Sequence, residues 1–199
     1  MTNTVNTKRN KSQKAVLQSA KTLFWKHGIR RVTVEEICKE AEVSKMTFYR
    51  NFNNKNEVAQ QILEDLANEG FEQYQAIMRQ EIPFPEKVTQ LIELKHETSD
   101  GISQEFVSDI YEHNHSELQD KLTQYHQRSM NELKKDLENA QREGWIRQDL
   151  KISFVLYMIN ALNDKMLDKE LTAMYDTPTD LIMELTKFCF YGMSPMNEN

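Results

Sequence analysis

Five glycines and four prolines in 199 residues leave little material for tight turns. An all-β sandwich or barrel needs a turn signal roughly every 8–12 residues. The scarcity points away from that class and toward long helices. Cysteine is scarcer still: Cys38 and Cys189 lie far apart, each inside an apolar helical pattern. That fits two buried, reduced thiols, and nothing in the sequence supports the alternative of a disulfide or redox switch. Long apolar runs are missing too. The longest spans 152–162 and is broken by Ser153 and Asn160, well short of the roughly 20 residues that cross a bilayer. The opening MTNTVNTKRNKSQK has no apolar segment after its basic residues, so it does not read as a secretory signal. The expectation is a soluble, cytoplasmic protein without membrane contact.

Charge is present, and it is unevenly placed. The whole chain carries −6. Residues 1–56 hold 12 Lys and Arg against 4 Asp and Glu, a charge of +8, which leaves −14 for the remainder. A basic segment on an acidic body attracts polyanions through one end only.

Helical periodicity runs through most of the chain. Residues 1–11 have none and read as a flexible basic arm carrying Lys8, Arg9 and Lys11. Val16, Leu17, Ala20, Leu23 and Phe24 stripe a helix from 12 to 27, and Gly28 is placed to close it. Thr33 and Glu36 form a T-x-x-E capping box for a second, short helix whose inner face is Val34, Ile37 and Ala41. After Glu42 and Val43, Ser44 caps a third helix ending near Phe52, with Val43 and Phe48 as its hydrophobic staple. Asn54 and Glu57 open a fourth, over 54–80, which Pro83 and Pro85 stop. Further helices are predicted over 85–97, 103–113, 116–144, 149–175 and 177–193, the last with Thr177 as cap and Pro178 in its first turn. The expectation is an all-α chain of nine helices.

Two short helices joined by a tight turn, the second basic and partly aromatic, make a helix-turn-helix. Phe48 and Phe52 define the inner face of the second helix, leaving Lys45, Met46, Thr47, Tyr49 and Arg50 for a DNA groove. Arg50 suits a guanine edge or a phosphate, or else a neighbouring carboxylate. Thr47 can donate, accept or touch a thymine methyl. Lys45 and Tyr49 suit phosphates, although the phase of Tyr49 also allows a core position. Lys55, in the first turn of the fourth helix, reads as a phosphate clamp. Thr33 and Ser44 can add hydroxyl–phosphate bonds.

The stretch TVEEICKEAEVSKMTFYRNFNNKNEV, with the Leu-Phe helix and Gly28 before it, resembles the DNA-binding domain of the TetR family over residues 12–65. The resemblance implies a TetR-like fold. A helix-turn-helix domain at 12–56 would be linked by the helix at 54–80 to a ligand-binding and dimerisation domain at 57–199. It implies a transcriptional regulator, expected to be a repressor that a small-molecule effector releases from a palindromic double-stranded DNA operator. It also implies a homodimer built from the last two helices in a four-helix bundle. Two positions depart from the pattern: Glu42 stands where such turns commonly carry Gly, and Met46 where a small residue is common.

Aromatics and methionines in the acidic half fit either ordinary core or an apolar ligand cavity. Candidate lining residues are Phe71, Tyr74, Met78, Phe106, Tyr111, Tyr125 and Tyr157. The helices at 149–175 and 177–193 are apolar almost all round, so a partner subunit is expected to cover them. Phe154, Met158, Leu181, Leu185 and Phe188 are the candidate interface. His96, His113, His115 and His126 lack metal-ligand spacing, so neither metal nor cofactor is expected. No nucleophile–base pair or phosphate loop points to an enzyme. The rival readings are a helical ligand-binding or interaction protein with a degenerate DNA-binding head, and a helical-bundle cofactor protein.

Overall fold

A computed structural model describes residues 10–111 and 116–195, and the side chains of all of these except 111, 116–120 and 163. Among the described residues every regular element is helical. In chain order they are α1 (Lys11–His27), α2 (Val34–Glu40), α3 (Lys45–Asn51), α4 (Lys55–Met78), α5 (Phe84–Ser99), α6 (Gln104–Tyr111), α7 (Ser116–Arg142), α8 (Ile152–Asp164), α9 (Lys169–Thr172) and α10 (Pro178–Tyr191), with a 3-10 turn at Lys165–Leu167. The expected all-α architecture is present. One expected helix is not: the segment 149–175 is broken into α8, the 3-10 turn and α9. Asp168 causes the break. Its carboxylate accepts from the amides of Glu170 and Leu171 and pairs with Lys165 at 2.9 Å, so a new helix starts where periodicity predicted continuation. Buried Met166 anchors the broken segment.

The first three helices and the start of α4 form the head. Val16, Ala20, Phe24, Ile37, Phe48 and Val58 make a continuous buried cluster. Local chemistry starts each helix. Asn10 caps α1 in a reciprocal box with Gln13, so Lys11 belongs to the helix rather than to an arm. Lys8 and Arg9 lie outside the described residues. Thr33 and Glu36 complete their box at α2, and Ser44 and Asn54 each accept from the third amide of α3 and α4.

The turn between α2 and α3 is a Schellman motif. The amide of Val43 donates to Cys38 O at 3.0 Å and that of Glu42 to Lys39 O at 3.3 Å. The motif needs a left-handed residue between helix and strap, and Glu42 supplies it at φ 53°. This is the position where the sequence lacks the common Gly.

Residues beyond the head form the body, whose core is divided. One buried cluster joins Leu137, Ala140, Ile146, Ile152, Val155 and Met193. A second joins Val107, Met166 and Leu181. Both thiols are free; Cys38 is buried and Cys189 half-buried, and burial raises the pKa of each.

A side chain in the left-handed region costs about 1 kcal/mol. Glu42→Gly is therefore expected to stabilise the protein by about that amount, read as a higher urea midpoint at unchanged slope. A lower midpoint would mean that the Glu42 carboxylate contributes more than the strain removes.

Candidate nucleic-acid interface

The outer face of α3 is open. Phe48 is fully buried and packs on Phe52 with ring centroids 5.9 Å apart, which turns the opposite face outward. Met46 is 83% exposed and Tyr49 55% exposed. Lys45 and Arg50 are exposed and Thr47 is half-buried. Large apolar groups standing free among cations mark a surface built for contact rather than for solvent. Lys45 forms an ion pair with Glu35 of α2, and each partner shifts the pKa of the other toward its charged form. Both are exposed, so the pair is weak and Lys45 can exchange it for a phosphate. The hydroxyls of Ser44 and Thr47 lie 3.0 Å apart. That of Thr33 donates to Glu36, so Thr33 is already engaged within its own cap.

Lys55 corrects an expectation. It is not free to clamp a phosphate. Its ammonium donates to the carbonyls of Ile29 at 2.8 Å, Arg30 at 2.6 Å and Val32 at 2.7 Å, which uses all three of its donors. It ties the α1–α2 connection to the start of α4. Desolvation lowers its pKa, against a smaller opposing effect of Asp109 and Glu36.

The same connection is fixed to the body. Buried Asp109 of α6 accepts from the backbone amide of Arg30 at 2.8 Å and from its Nε at 2.7 Å. Gly28 makes this approach possible. Its φ of 77° and ψ of 162° suit only glycine, and a Cβ there would stand 2.7 Å from Asp109 Oδ2. The amide of Ser103 donates to Trp25 O at 2.9 Å, and the rings of Trp25 and Phe106 lie 4.3 Å apart. No signal in the sequence marked Asp109, Arg30 or Trp25, because their partners are some eighty residues away.

Behind this junction lies a mostly apolar cavity of about 600 Å³, walled by α4, α5, α6, α7, α8 and α10. Of the residues expected to line it, Phe71, Tyr74 and Phe106 do. Met78 and Tyr125 are half-buried outside the lining, and the side chain of Tyr111 lies outside the described residues. Tyr157 is 69% exposed, because α8 turns Ile152 and Val155 inward and Tyr157 outward. The Tyr74 hydroxyl donates to Asp136 at 2.6 Å, and burial together with that carboxylate raises its pKa strongly. Leu91, Leu94 and Lys95 of α5, which the sequence did not single out, complete one wall. Phe106 faces both ways, stacking on Trp25 and lining the cavity.

The candidate interface residues divide. Phe154 and Phe188 are exposed and Met158 is half-buried, whereas Leu181 is 1% exposed within the core and Leu185 turns toward the cavity. Helical phase separates them: α10 has an inner stripe and an outer one, and the apolar composition covers both. Of the histidines, His113 and His115 lie outside the described residues. Among the described residues no group of three or more His, Cys, Asp or Glu is arranged to hold a metal ion, and no helix is long and apolar enough to cross a membrane.

A capped two-helix unit with an open cationic face on a basic head defines a helix-turn-helix DNA-binding protein. Residues 16–62 match the sequence profile of the bacterial regulatory proteins of the tetR family. The head, residues 16–62, is accordingly a DNA-binding domain of the TetR type. No curated protein sequence matches it. Several solved structures share the fold. A putative transcriptional regulator from Saccharomonospora viridis in complex with choline aligns with TM-score 0.74 at 17% identity, covering 94% of this chain and 100% of that one. The fatty acid degradation regulator FadR from Bacillus halodurans aligns with TM-score 0.70 at 19% identity, covering 94% and 98%. The transcriptional regulator FadR from Bacillus subtilis, in complex with stearoyl-CoA, gives 0.67 at 17%, covering 90% and 98%.

Lys55→Met is expected to cost about 2 kcal/mol of stability by leaving three carbonyls without their donor. The slope of log K for DNA against log salt should stay at the wild-type value in the folded variant. A slope smaller by about 1 would restore Lys55 as a phosphate contact.

Proposed function

We propose that the chain is a homodimeric repressor that leaves a roughly palindromic operator when a small molecule fills the body cavity. The observation that carries this reading is the shared position of α6. One face of that helix, through Phe106 and Val107, lines the cavity, and Asp109 grips the head. The fourth helix runs from the Lys55 clamp to Phe71 and Tyr74 on the cavity wall. A ligand with different affinity for two arrangements of these helices would change the placement of α3. Complexes of similarly folded proteins with choline and stearoyl-CoA support the reading that a chain of this fold takes a small molecule.

On DNA, α3 enters the major groove with Arg50 toward base edges and Lys45 and Tyr49 toward phosphates. Met46 presses on a thymine methyl or a sugar edge, and Thr47 and Ser44 lie along the groove wall. The dimer forms through the outer stripes of α8 and α10. Phe154 and Tyr157 stand three apart on one helix, Phe188 and Tyr191 three apart on the other, all more than half exposed in the isolated chain. Pairing of two such surfaces about a two-fold axis buries the aromatic rings and sets two reading heads on one face of the duplex.

Arg50→Ala is expected to weaken operator binding by about 1–3 kcal/mol and to relax preference at one base pair per half-site, measured by gel shift across operator variants. A uniform loss over all sequences would make Arg50 a phosphate contact. Absence of operator-selective, salt-sensitive binding by the wild type would defeat the regulator reading of this head. Phe188→Glu is expected to convert dimer to monomer in sedimentation experiments. A folded dimer carrying that substitution would place the interface elsewhere.

A further inference from the structure

Among the described residues that line the body cavity, Lys95 alone carries a charge. It stands on α5, on the same face as Leu91, Leu94 and Thr98, all of them cavity wall. Three of the neutral polar groups there are already engaged. The hydroxyl of Tyr74 donates to Asp136, that of Thr98 to the Leu94 carbonyl at 2.8 Å, and that of Thr186 to the Ile182 carbonyl at 2.7 Å. No hydrogen bond or ion pair among the described residues engages the Lys95 ammonium. Lys95 is an exposed residue that lines the cavity, so its ammonium is open to water as well as to the cavity.

Desolvation by the cavity wall pushes its pKa below the ordinary lysine value, and no neighbouring carboxylate opposes the shift. A cation that loses water without gaining a partner destabilises the fold unless something else supplies the counter-charge. An apolar pocket with one polar group aimed into it is the usual form of a site in which that group orients the ligand.

We propose that the cavity takes an amphipathic anion: an apolar chain or ring body filling the volume, with one carboxylate or phosphate head seated on Lys95. The proposal rests on the ligand-controlled reading above and names the chemistry of the effector. The cavity, at about 600 Å³, is of the size that encloses a drug-sized molecule. Its mostly apolar wall supplies affinity through desolvation of the body. Lys95 supplies the discrimination between anion, neutral molecule and cation. Binding relieves the unpaired charge, so the bound state is stabilised by the head as well as by the body.

The experiment is a calorimetric titration of the full chain with octanoate, dodecanoate and hexadecanoate, each beside its matching alcohol and amine, at concentrations below micelle formation. Wild type is expected to bind at least one carboxylate more tightly than the matching alcohol, and the amine least. In Lys95→Met the carboxylate should lose about thirtyfold or more while the alcohol keeps its affinity. Lys95→Arg should retain the preference. The ligand-free Lys95→Met protein should melt at or above the wild-type temperature, because an unpaired, partly desolvated charge has been removed; if it fails to fold, Lys95→Gln takes its place in the titration. Dodecanoyl-CoA identifies the source of the anion. Sensitivity of its binding to Lys95→Met seats a phosphate on Lys95, and indifference leaves the site to free carboxylates. Equal binding of carboxylate and alcohol, or a preference unchanged in Lys95→Met, overturns the proposal. If those ligands still release operator DNA, ligand control survives that failure. If no amphiphile binds a protein that binds its operator, both readings fall.

Discussion

A buried carboxylate holds the reading head to the rest of the molecule. Asp109 receives both the amide and the guanidinium of Arg30, and it can come so close only because Gly28 has no side chain. Only Asp109 is buried, and the Arg30 side chain is exposed; removing its hydrogen-bond donors leaves a desolvated carboxylate and costs about 1–3 kcal/mol. That is a large part of the margin by which a domain stays folded. The contact therefore acts as a rigid coupling. With the Trp25–Phe106 stack and the Lys55 clamp, it leaves the α1–α2 connection little freedom to move apart from α4 and α6.

The two halves are built differently around that coupling. The head has one continuous core, and each of its helices begins with a side-chain cap. The body divides its buried residues between separate clusters, and members of both line a cavity. On the proposed reading, a ligand in the cavity adds contacts there, and coupling through α6 carries the resulting shift to the head.

What was legible in the sequence is what local chemistry decides. The caps at Thr33, Ser44 and Asn54, the strain at Glu42 and the inner face of α3 depend on residues within one turn of each other, and all are found. The box of Asn10 and Gln13 obeys the same rule, and its omission shortened α1 by one residue. Long-range geometry was not legible. Lys55 is a cation at a helix start, and in sequence that cannot be told from a phosphate ligand. Only the fold brings three carbonyls to it. The break at Asp168 was hidden because aspartate is tolerated within a helical pattern, and the buried anchor Met166 looks like any other apolar residue. Leu181 and Phe188 are equally apolar neighbours on one helix, yet one is core and the other surface. Composition alone does not resolve which stripe faces in.

A mostly apolar cavity of about 600 Å³ also bears on how the molecule responds to compression. Pressure favours whichever state occupies less volume, so any part of this cavity that stays dry is volume the body can lose and the head, with its continuous core, cannot. The body is thus the compressible part of the protein and the head the stiff part. A molecule lodged in the cavity removes that difference, since it fills the space that pressure would otherwise close.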